Sequence, residues 1–499
     1  MPSIMLTLII FLPLVGVILT SLLPRRFEAG AKYIALVTTA ANFGLAVWAL
    51  IAHGLGSGGG SGMQLETNLV WIPQIDVHYH IGIDGLSLPL LVLSTLLFVL
   101  AVLASWKIDT KPRFYFAMLC LLSLGLNGVF TALDLVLFYV FWEVVLVPMY
   151  FLIAQWGGER RQYASIKFFL YTFFGSVFML VGIVALYLLT GSFDIIALRD
   201  LAPAAFDGVG GIGSVQWWIF AAFLLGLAVK VPIWPLHTWL PDAHVQAPTA
   251  ASVLLAGVML KMGTYGFLRI AVPILPDAFT TWQFPLAILA VISILYGAIV
   301  AFAQTDIKKL VAYSSVSHMG FAMLGIAAGN AAGFNAAMAV NISHGLTTGA
   351  LFFLVGMVYE RTHTRKIKDM SGVAAQMPRY AGIFCFISFA SMGLPLLSGF
   401  VGEFLTIVGS WGSASIPPIV TVLAGVGILC GGAYMLWLMQ RFIFGEPSPI
   451  IEGQHDIGLR EIGILVPLMV LVLTIGLYWN SLLQFTDPVA TGLAKLFGA

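Results

Sequence analysis

Long apolar runs recur from one end of the chain to the other, and they restrict its fold more than any other feature. Each run holds about 20 residues, which is enough to cross a hydrocarbon core about 30 Å thick. Only 9% of the residues are charged and 60% are hydrophobic, whereas soluble proteins carry about 25% charged residues. The strands of a membrane barrel would alternate polar and apolar side chains, and these runs do not. The sequence therefore predicts an all-α polytopic membrane protein.

We count fourteen runs and expect each to form one transmembrane helix, numbered 1 to 14 in chain order. No basic residue precedes the first run and no small-residue cleavage site follows it, so it is predicted to be a retained helix and not a signal peptide. The runs lie near residues 3–23, 30–52, 83–105, 113–131, 134–154, 165–190, 216–240, 248–271, 282–304, 309–328, 333–358, 379–408, 417–443 and 461–481.

Lysine and arginine residues cluster in the loops after odd-numbered helices, which hold 18 of the 23. Loops after even-numbered helices hold only Arg199, and the C-terminal tail holds only Lys495. By the positive-inside rule, the basic loops face the cytoplasm and both termini face the outer side of a bacterial inner membrane. Lys230, Lys261 and Arg269 lie inside runs. Arg269 is near a helix end and is expected to reach the interface, which leaves two lysines unexplained.

The three cysteines, Cys120, Cys385 and Cys430, lie apart in apolar runs and are predicted to be small core residues. The sequence contains no iron–sulfur, haem or disulfide-redox motif, and no P-loop or dinucleotide-binding motif. We therefore expect no cofactor on this chain. Any redox step or ATP hydrolysis that drives it would belong to another chain.

Residues 66–84 alternate between polar and apolar side chains and predict a short external β-hairpin. His78 and His80 have the spacing of metal ligands on one strand face, but no third ligand is evident. An exposed hairpin is therefore favoured over a metal site. The preceding GLGSGGGSG run, 54–62, has the composition of a flexible linker.

Prolines and glycines interrupt two of the predicted helices. Helix 7 contains Pro232 and Pro235, and helix 12 contains Pro395 flanked by glycines. Because the two helices lie five apart, they would have opposite orientations, as in inverted repeats whose broken helices meet at a transport site. The alternative is that the prolines only kink membrane helices. The predicted parts are helices 1–3 with the external hairpin (1–112), a first repeat of helices 4–8 (113–272), a second repeat of helices 9–13 (273–443), and helix 14 with the tail (444–499).

Several ionisable residues lie inside runs, on successive helices. A charge at the bilayer centre costs about 2.5–3.5 kcal/mol on insertion scales, so the presence of several indicates function. They predict a row of proton-transfer groups across the membrane plane, and static buried ion pairs are the alternative. From helix 5 to helix 12 the row is Glu143, Lys230, Lys261, His318, His344 and Glu403, with His237 and His244 toward the cytoplasmic end of helix 7.

Small polar residues beside the row are consistent with a hydrated path. Ser314 and Ser317 precede His318, and Thr348 follows His344 by one turn on the same helix face. Such residues also simply pack membrane helices against each other, so both interpretations stay open.

The prolines of helix 7 bear on Lys230. Because Pro232 and Pro235 lack an N–H, we expect the helix to open after Lys230 and to offer its ammonium polar partners and water. Asp242 is expected to shape the turn into helix 8. At about 6 Å and an effective dielectric of about 20, Glu143 would attract Lys230 by roughly 2.8 kcal/mol, enough to switch its protonation.

Six motifs make the chain similar to the antiporter-like membrane subunits of respiratory complex I, over nearly its whole length. The resemblance implies fourteen helices in two inverted five-helix repeats, and one of three proton-translocating modules of the membrane arm. The motifs are GIDGLSLPL (82–90), FWEVVLVPMYFLI (141–153), KVPIWPLHTWLPDAHVQAPTAASVLLAGVMLKMGTYGFLR (230–269), TDIKKLVAYSSVSHMG (305–320), SHGLTTGALFFLVGMVYERT (343–362) and GLPLLSGFVGEF (393–404).

The resemblance assigns proton transfer to the same row, with Glu143 modulating Lys230 and with Glu403 as the exit residue. The sister L and N chains have a lysine in place of this glutamate. Leu396 departs from the family, which often has glycine after the GLP break. The implied partners are the L and N chains, other subunits that hold flavin, iron–sulfur clusters and quinone, and membrane lipids, but not nucleic acid. Multi-subunit cation/proton antiporters, membrane-bound hydrogenases and a structural spacer subunit are the alternatives.

Overall fold

The structure, a computed structural model, describes residues 2–54 and 62–498. Helices make up most of this part of the chain, and a two-stranded antiparallel hairpin is its only named sheet. The predicted all-α membrane fold is confirmed. The predicted linker at 54–62 lies almost entirely outside the described residues.

The first half of the fold contains ten helices and the hairpin. Its elements are α1 (Pro2–Leu22), α2 (Ala31–Ala49), β1 (Gln64–Ile72), β2 (Val77–Ile83), α3 (Ser87–Ala104), α4 (Pro112–Thr131), α5 (Leu135–Val144), α6 (Leu146–Trp156), α7 (Arg161–Thr190), α8 (Leu198–Ala205), α9 (Val215–Lys230) and α10 (Trp239–Gln246).

The second half continues with helices alone. They are α11 (Thr249–Leu254), α12 (Leu260–Gly266), α13 (Val272–Ile274), α14 (Pro276–Phe302), α15 (Ile307–Ala327), α16 (Ala331–Thr362), α17 (Val373–Gln376), α18 (Pro378–Ser391), α19 (Ser398–Trp411), α20 (Pro418–Phe442), α21 (Leu459–Leu477) and α22 (Asn480–Ala494).

Twelve helical stretches of the described chain are long and apolar enough to cross a membrane. One of them joins α5 to α6, because Val145 between them keeps helical backbone angles. Another joins α11, α12 and α13 through π-helical turns. The pairs α9–α10 and α18–α19 are interrupted and occupy the positions of predicted helices 7 and 12. Both predicted breaks are therefore confirmed, while the total of fourteen helices stays a prediction.

The first break follows Lys230, where α9 ends. Nearby donors form hydrogen bonds to carbonyl groups that the break leaves unpaired in the last turn of α9. Trp239 Nε1 donates to the carbonyl oxygen of Val229 at 2.9 Å, and the N–H of Ile233 donates to that of Ala228 at 3.0 Å. These bonds stabilise the interrupted helix, because unpaired backbone groups are costly in a membrane.

The second break lies between α18 and α19. Gly393 has a φ of +75°, and a β-carbon at this position would collide with the carboxylate of Glu403. Glycine therefore allows that carboxylate to lie against the break. Leu396 has the same positive φ of +75°, a backbone conformation that favours glycine. A leucine at this φ carries local backbone strain.

The predicted hairpin is confirmed, since β1 and β2 pair in antiparallel register. The expectation that its histidines are exposed is wrong for His80, which is 3% exposed. Its Nδ1 lies 2.5 Å from Asp194 Oδ2 and its Nε2 lies 2.8 Å from Glu66 Oε1. His78 contacts Asp76 instead, at 3.1 Å. No group of three metal-ligating side chains occurs among the described residues.

We expect the attachment of the hairpin to depend on pH. Burial lowers the pKa of His80, but the carboxylates of Asp194 and Glu66 outweigh burial and raise it overall. Burial raises the pKa of Asp194, but His80 outweighs this and lowers it overall. The stability that His80 adds to the attachment of the hairpin is fully present below about pH 6.5 and is lost as pH rises through the raised pKa. The stability that Asp194 adds is fully present above about pH 4 and is lost as pH falls through the lowered pKa.

Hydrogen exchange of the β2 amides, corrected for intrinsic rates, measures this attachment and should be slowest between about pH 4 and 6.5. His80→Gln should speed that exchange by about tenfold and flatten its pH dependence, because a charge-assisted bond is worth roughly 1.5 kcal/mol. His78→Gln is the matched control, since its imidazole contacts only hairpin side chains. An unchanged pH dependence in His80→Gln would contradict the prediction.

One local arrangement occurs twice, at the starts of α5 and α15, and we call it the backbone clip. In the first clip, Leu135 N–H donates to Phe193 O and Ile195 N–H donates to Leu133 O. An aspartate side chain caps each helix start. Every residue of the second clip lies 172 positions after its counterpart, which supports the division into two repeats. In the second clip, Ile307 N–H donates to Arg365 O and Ile367 N–H donates to Thr305 O. The capping residues are Asp134 in the first clip and Asp306 in the second.

Several expectations for single residues are wrong. Arg269 does not reach the interface, because its side chain is fully buried. Cys385 and Cys430 are partly exposed, although Cys120 is buried as expected. Asp242 lies inside α10 and not in a turn, and its carboxylate pairs with Lys167 Nζ at 2.6 Å.

The last helix, α22, was not predicted from the sequence. It packs against α16, where Asn335 Nδ2 donates to Asp487 Oδ1 at 2.7 Å. Thr486 donates to Asn335 Oδ1 at 2.6 Å. Its polar residues keep its mean hydropathy below that of a membrane-spanning run, which is why the search for apolar runs missed it.

Candidate functional site

Lys230 ends α9 and is 1% exposed. Its Nζ has no hydrogen-bond partner among the described residues, so the polar partners expected from the break are not found there. Glu143 on α5 lies within electrostatic range, but its Oε1 is also buried without a partner in the described structure. The two groups are therefore close enough to influence each other without a direct bond.

Lys261 and His344 are in direct contact. The helix that holds Lys261 contains a π-helical turn, Leu255–Met259, which leaves carbonyl groups open. Lys261 Nζ donates to Ala256 O at 2.5 Å and lies 2.6 Å from His344 Nδ1. A protonated lysine makes this ring nitrogen the acceptor, so the other nitrogen of His344 is free to carry a proton.

His318 connects His344 to Glu403. The two imidazole centroids lie 5.8 Å apart, and His318 Nδ1 is 3.2 Å from Glu403 Oε1. Ser391 Oγ and Tyr434 OH each lie 3.4 Å from His318 Nε2, and the sequence did not single out either residue. A cavity of about 10 Å³ is lined by His318, His344 and Glu403, among others, and has room for about one water molecule. One continuous row is thus formed by Lys261, His344, His318 and Glu403.

Lys230 is separate from this row. Its helix, α9, packs closely on α12, where a β-carbon at Gly263 would collide with Val231 and with the carbonyl of Leu227. No hydrogen bond between described residues joins Lys230 to Lys261. The structure thus brings the second half of the predicted row together and leaves the first half unconnected.

The supporting residues occupy different surroundings. Ser314 and Ser317 donate to backbone carbonyls at 2.7 and 2.9 Å, whereas Thr348 Oγ1 is buried without a partner in the described part of the chain. His237 is 2% exposed and packs edge-on against Tyr296, with 5.0 Å between ring centroids.

His244 is fully buried and stacks on Phe352, with 4.5 Å between centroids and 8° between planes. Neither ring nitrogen has a hydrogen-bond partner among the described residues. Both Lys261 and Lys308 lie within its electrostatic range. His244 therefore lies between the row and the end of the bundle at which α15 begins.

A cavity of about 540 Å³ opens at that end. Gln246, two residues after His244, lines it together with Lys308. The sequence placed Lys308 in an exposed loop, yet it is 7% exposed and its Nζ donates to Ala247 O at 2.5 Å. The other charged residues of the lining are Glu159, Arg160, Asp306, Arg365 and Lys366.

A buried ion pair that the sequence did not predict joins Asp84 to Arg269. Arg269 Nη1 donates to Asp84 Oδ2 at 2.7 Å, and Nη2 pairs with Oδ1. Arg269 Nε also lies 3.1 Å from the hydroxyl of Tyr265. The pair ties the end of the hairpin to the helix that carries Lys261. A usable signal was present, because an arginine inside an apolar run needs a buried acid.

Two family models match the chain. The model described as NADH:quinone oxidoreductase/Mrp antiporter, TM, matches residues 132–431, and that described as NADH-ubiquinone oxidoreductase chain 4, amino terminus, matches residues 63–129. The NADH-quinone oxidoreductase subunit M of Rhodobacter capsulatus is 42% identical, over 99% of this chain and 97% of the relative. The chain belongs to the subunit M (chain 4) family. The predicted resemblance to the complex I membrane subunits is thereby confirmed.

Solved structures share the fold of this chain. A chain of the respiratory complex I from Thermus thermophilus with bound NADH is 31% identical to the chain described here, with a TM-score of 0.88 over 99% of this chain and 100% of that chain. A chain of the Mrp complex from Dietzia sp. covers 99% of both chains with a TM-score of 0.86, but at 21% identity it shows the fold alone.

Proposed function

We propose that this chain is a proton-translocating membrane-arm subunit of NADH:quinone oxidoreductase, respiratory complex I. The observation that carries the proposal is the buried row in which Lys261, His344, His318 and Glu403 lie in successive contact. Membership of the subunit M family supports it. Its partners are the other membrane-arm subunits, among them the antiporter-like L and N chains.

The row can pass a proton in short steps. Protonated Lys261 gives a proton to His344 Nδ1 across 2.6 Å, and the imidazolium releases a proton from its other nitrogen toward His318. His318 Nδ1 then gives a proton to Glu403 across 3.2 Å. One proton enters at the lysine and one leaves at the carboxylate, and only N–H and O–H bonds change.

Lys230 and Glu143 would control the supply of protons to this row. When Glu143 is near, its negative charge holds the proton on Lys230, and when it moves away the proton is released toward Lys261 through water. Quinone reduction elsewhere in the complex would drive that movement. An interaction of about 2.8 kcal/mol, as expected for about 6 Å, is comparable with the work of moving one charge through about 100 mV.

The large cavity supports proton uptake from the cytoplasm. Its lining is rich in basic residues, as the positive-inside rule requires of a cytoplasmic surface. His244 would link it to the row, because both of its ring nitrogens are available for water. This orientation places both termini on the outer side of a bacterial inner membrane, with Glu403 as the outward exit.

The redox cofactors, flavin, iron–sulfur clusters and quinone, would belong to partner subunits. The separation of the three cysteines supports this assignment, since Fe–S clusters require several cysteine ligands together. The alternative functions fit less well. The 42% identity to a subunit M favours complex I over a cation/proton antiporter or a membrane-bound hydrogenase, and a contiguous titratable row favours proton transfer over a structural spacer.

Replacing Lys230 with alanine tests the proposal, as does Glu143→Ala. We expect either variant to abolish redox-linked proton pumping while the complex still assembles, because the switch that loads the row is lost. The measurement is proton uptake by proteoliposomes of the assembled complex during NADH oxidation. Lys107→Ala is the control, since Lys107 forms an exposed ion pair. Normal pumping by Lys230→Ala would refute the proposal.

A further inference from the structure

Two aromatic rings lie beside the Lys230 ammonium. Nζ lies 5.5 Å from the centroid of the Trp142 ring and 5.6 Å from that of Phe168. Both rings are fully buried, and they come from different helices, α5 and α7. Because Nζ has no hydrogen-bond partner among the described residues, the two ring faces provide the direct protein contacts to its charge.

A ring face attracts a cation through its quadrupole, and the attraction grows when water is excluded. A desolvated contact favours the charged form by about thirtyfold, which equals about 2 kcal/mol at 1.4 kcal/mol per tenfold change. Unlike a hydrogen bond, it has weak directionality. The ammonium is therefore held in place with no bond that must break before its proton can leave.

We propose that Trp142 and Phe168 form an aromatic clamp that positions the Lys230 ammonium and stabilises its protonated form. The inference rests on the proposed proton transfer through Lys230. Trp142 and Phe168 are positioning residues in this scheme, because they act on the proton through the lysine. No pattern in the sequence singled out either of these two residues.

Three buried polar atoms support a functional role for this cluster. Trp142 Nε1, Glu143 Oε1 and Lys230 Nζ each lack a hydrogen-bond partner in the described structure. A donor, an acceptor and a cation that are all unpaired in one region need water, since buried polar groups are normally hydrogen-bonded. Water bound there would connect the carboxylate to the ammonium past the edge of the indole.

The two rings are anchored differently. Phe168 packs against Trp239, with centroids 5.5 Å apart, and the indole of Trp239 is bonded to the carbonyl of Val229 at the helix break. Phe168 is therefore fixed to the segment that carries Lys230. Trp142 instead directly precedes Glu143 on α5, so a movement of this turn of the helix displaces the ring and the carboxylate together. Release of the clamp and withdrawal of the negative charge then form one motion.

Substitution of Trp142 in the assembled complex tests the clamp. Proteoliposome pumping, in protons per NADH, should fall about tenfold in Trp142→Leu and stay within about twofold of wild type in Trp142→Phe, because only phenylalanine keeps a ring face. Phe141→Leu is the matched control, since Phe141 is the adjacent buried residue of α5 and its ring contacts Gly128 instead. It should pump as wild type.

A second pair of variants keeps the test decisive if Trp142→Leu fails to assemble. Phe168→4-cyanophenylalanine withdraws electron density from the ring face, and Phe168→4-methylphenylalanine has a similar shape without this effect. The cyano variant should pump several-fold less than the methyl variant. Equal pumping by the two, or normal pumping by Trp142→Leu, overturns the clamp. If the clamp is overturned but Lys230→Ala still abolishes pumping, the proposed function stands. Failure of the clamp is therefore distinguishable from failure of the proposed function.

Discussion

Replacing His344 with glutamine is expected to reduce redox-linked proton pumping by at least about tenfold, because it removes a proposed proton-transfer group from the middle of the row. His344 contacts both Lys261, at 2.6 Å between Nζ and Nδ1, and the ring of His318, at 5.8 Å between centroids. Glutamine can accept a hydrogen bond from Lys261, so the packing and the buried bond are preserved. It cannot take up and release a proton at neutral pH.

The measurement is proton uptake by proteoliposomes, with NADH oxidation followed in the same sample. His344→Gln should assemble with a thermal stability close to that of wild type, which separates a lost proton step from a folding defect. Met338→Leu is the control on the same helix, since Met338 is fully buried and the exchange conserves volume. Undiminished pumping by His344→Gln would show that protons bypass this histidine.

Replacing Arg269 with leucine is expected to destabilise the chain by about 3–5 kcal/mol, because it leaves the buried Asp84 carboxylate without its partner. Asp84 and Arg269 are 5% and 0% exposed. Burial raises the pKa of Asp84, but Arg269 outweighs this and lowers it overall. The pair therefore contributes stability above the ordinary pKa of about 4 and loses it only as pH falls through the lowered value. The yield of assembled complex and its thermal unfolding temperature measure the effect.

The double variant Asp84→Leu/Arg269→Met provides the control. Without either charge no unpaired ion is buried, so most of the stability should return. Asp84→Asn isolates the charge, because an amide oxygen can still accept from the N–H groups of Leu86 and Ser87. If Arg269→Leu is as stable as wild type, the ion pair does not support the fold.

The sequence predicted the membrane fold, the hairpin and both helix breaks because each depends on local composition. Runs of apolar residues, strand alternation and prolines act over about ten to twenty residues, so they can be read without tertiary information. The sequence also predicted that Lys261, His344, His318 and Glu403 belong to one row. That prediction used the cost of burying charge in a membrane, which few residues of such a chain meet.

The failures concern partners distant in the sequence. Asp84 and Arg269 are separated by 185 residues, and nothing local indicates that they meet. The apolar surroundings of Lys230 were also not predicted, since the carbonyls freed by Pro232 are taken by Trp239 and Ile233. His80 was expected to be exposed because a two-stranded hairpin gives no sign of the loop that covers it. Register and packing between elements decide all of these cases.

The two backbone clips also constrain how such a chain can change in length. In each copy, the same number of residues separates the two segments that the clip joins by hydrogen bonds. The interval from Leu135 to Phe193 has the same length as the interval from Ile307 to Arg365. A single inserted residue in α5 would turn every later side chain of that helix by about 100°, which changes the position of Glu143 relative to Lys230. The same rotation would move Phe141 and Trp142 out of their buried positions. Insertions in α5 would therefore disturb both its packing and the proposed proton transfer, and length variation should be confined to the segments outside these helices.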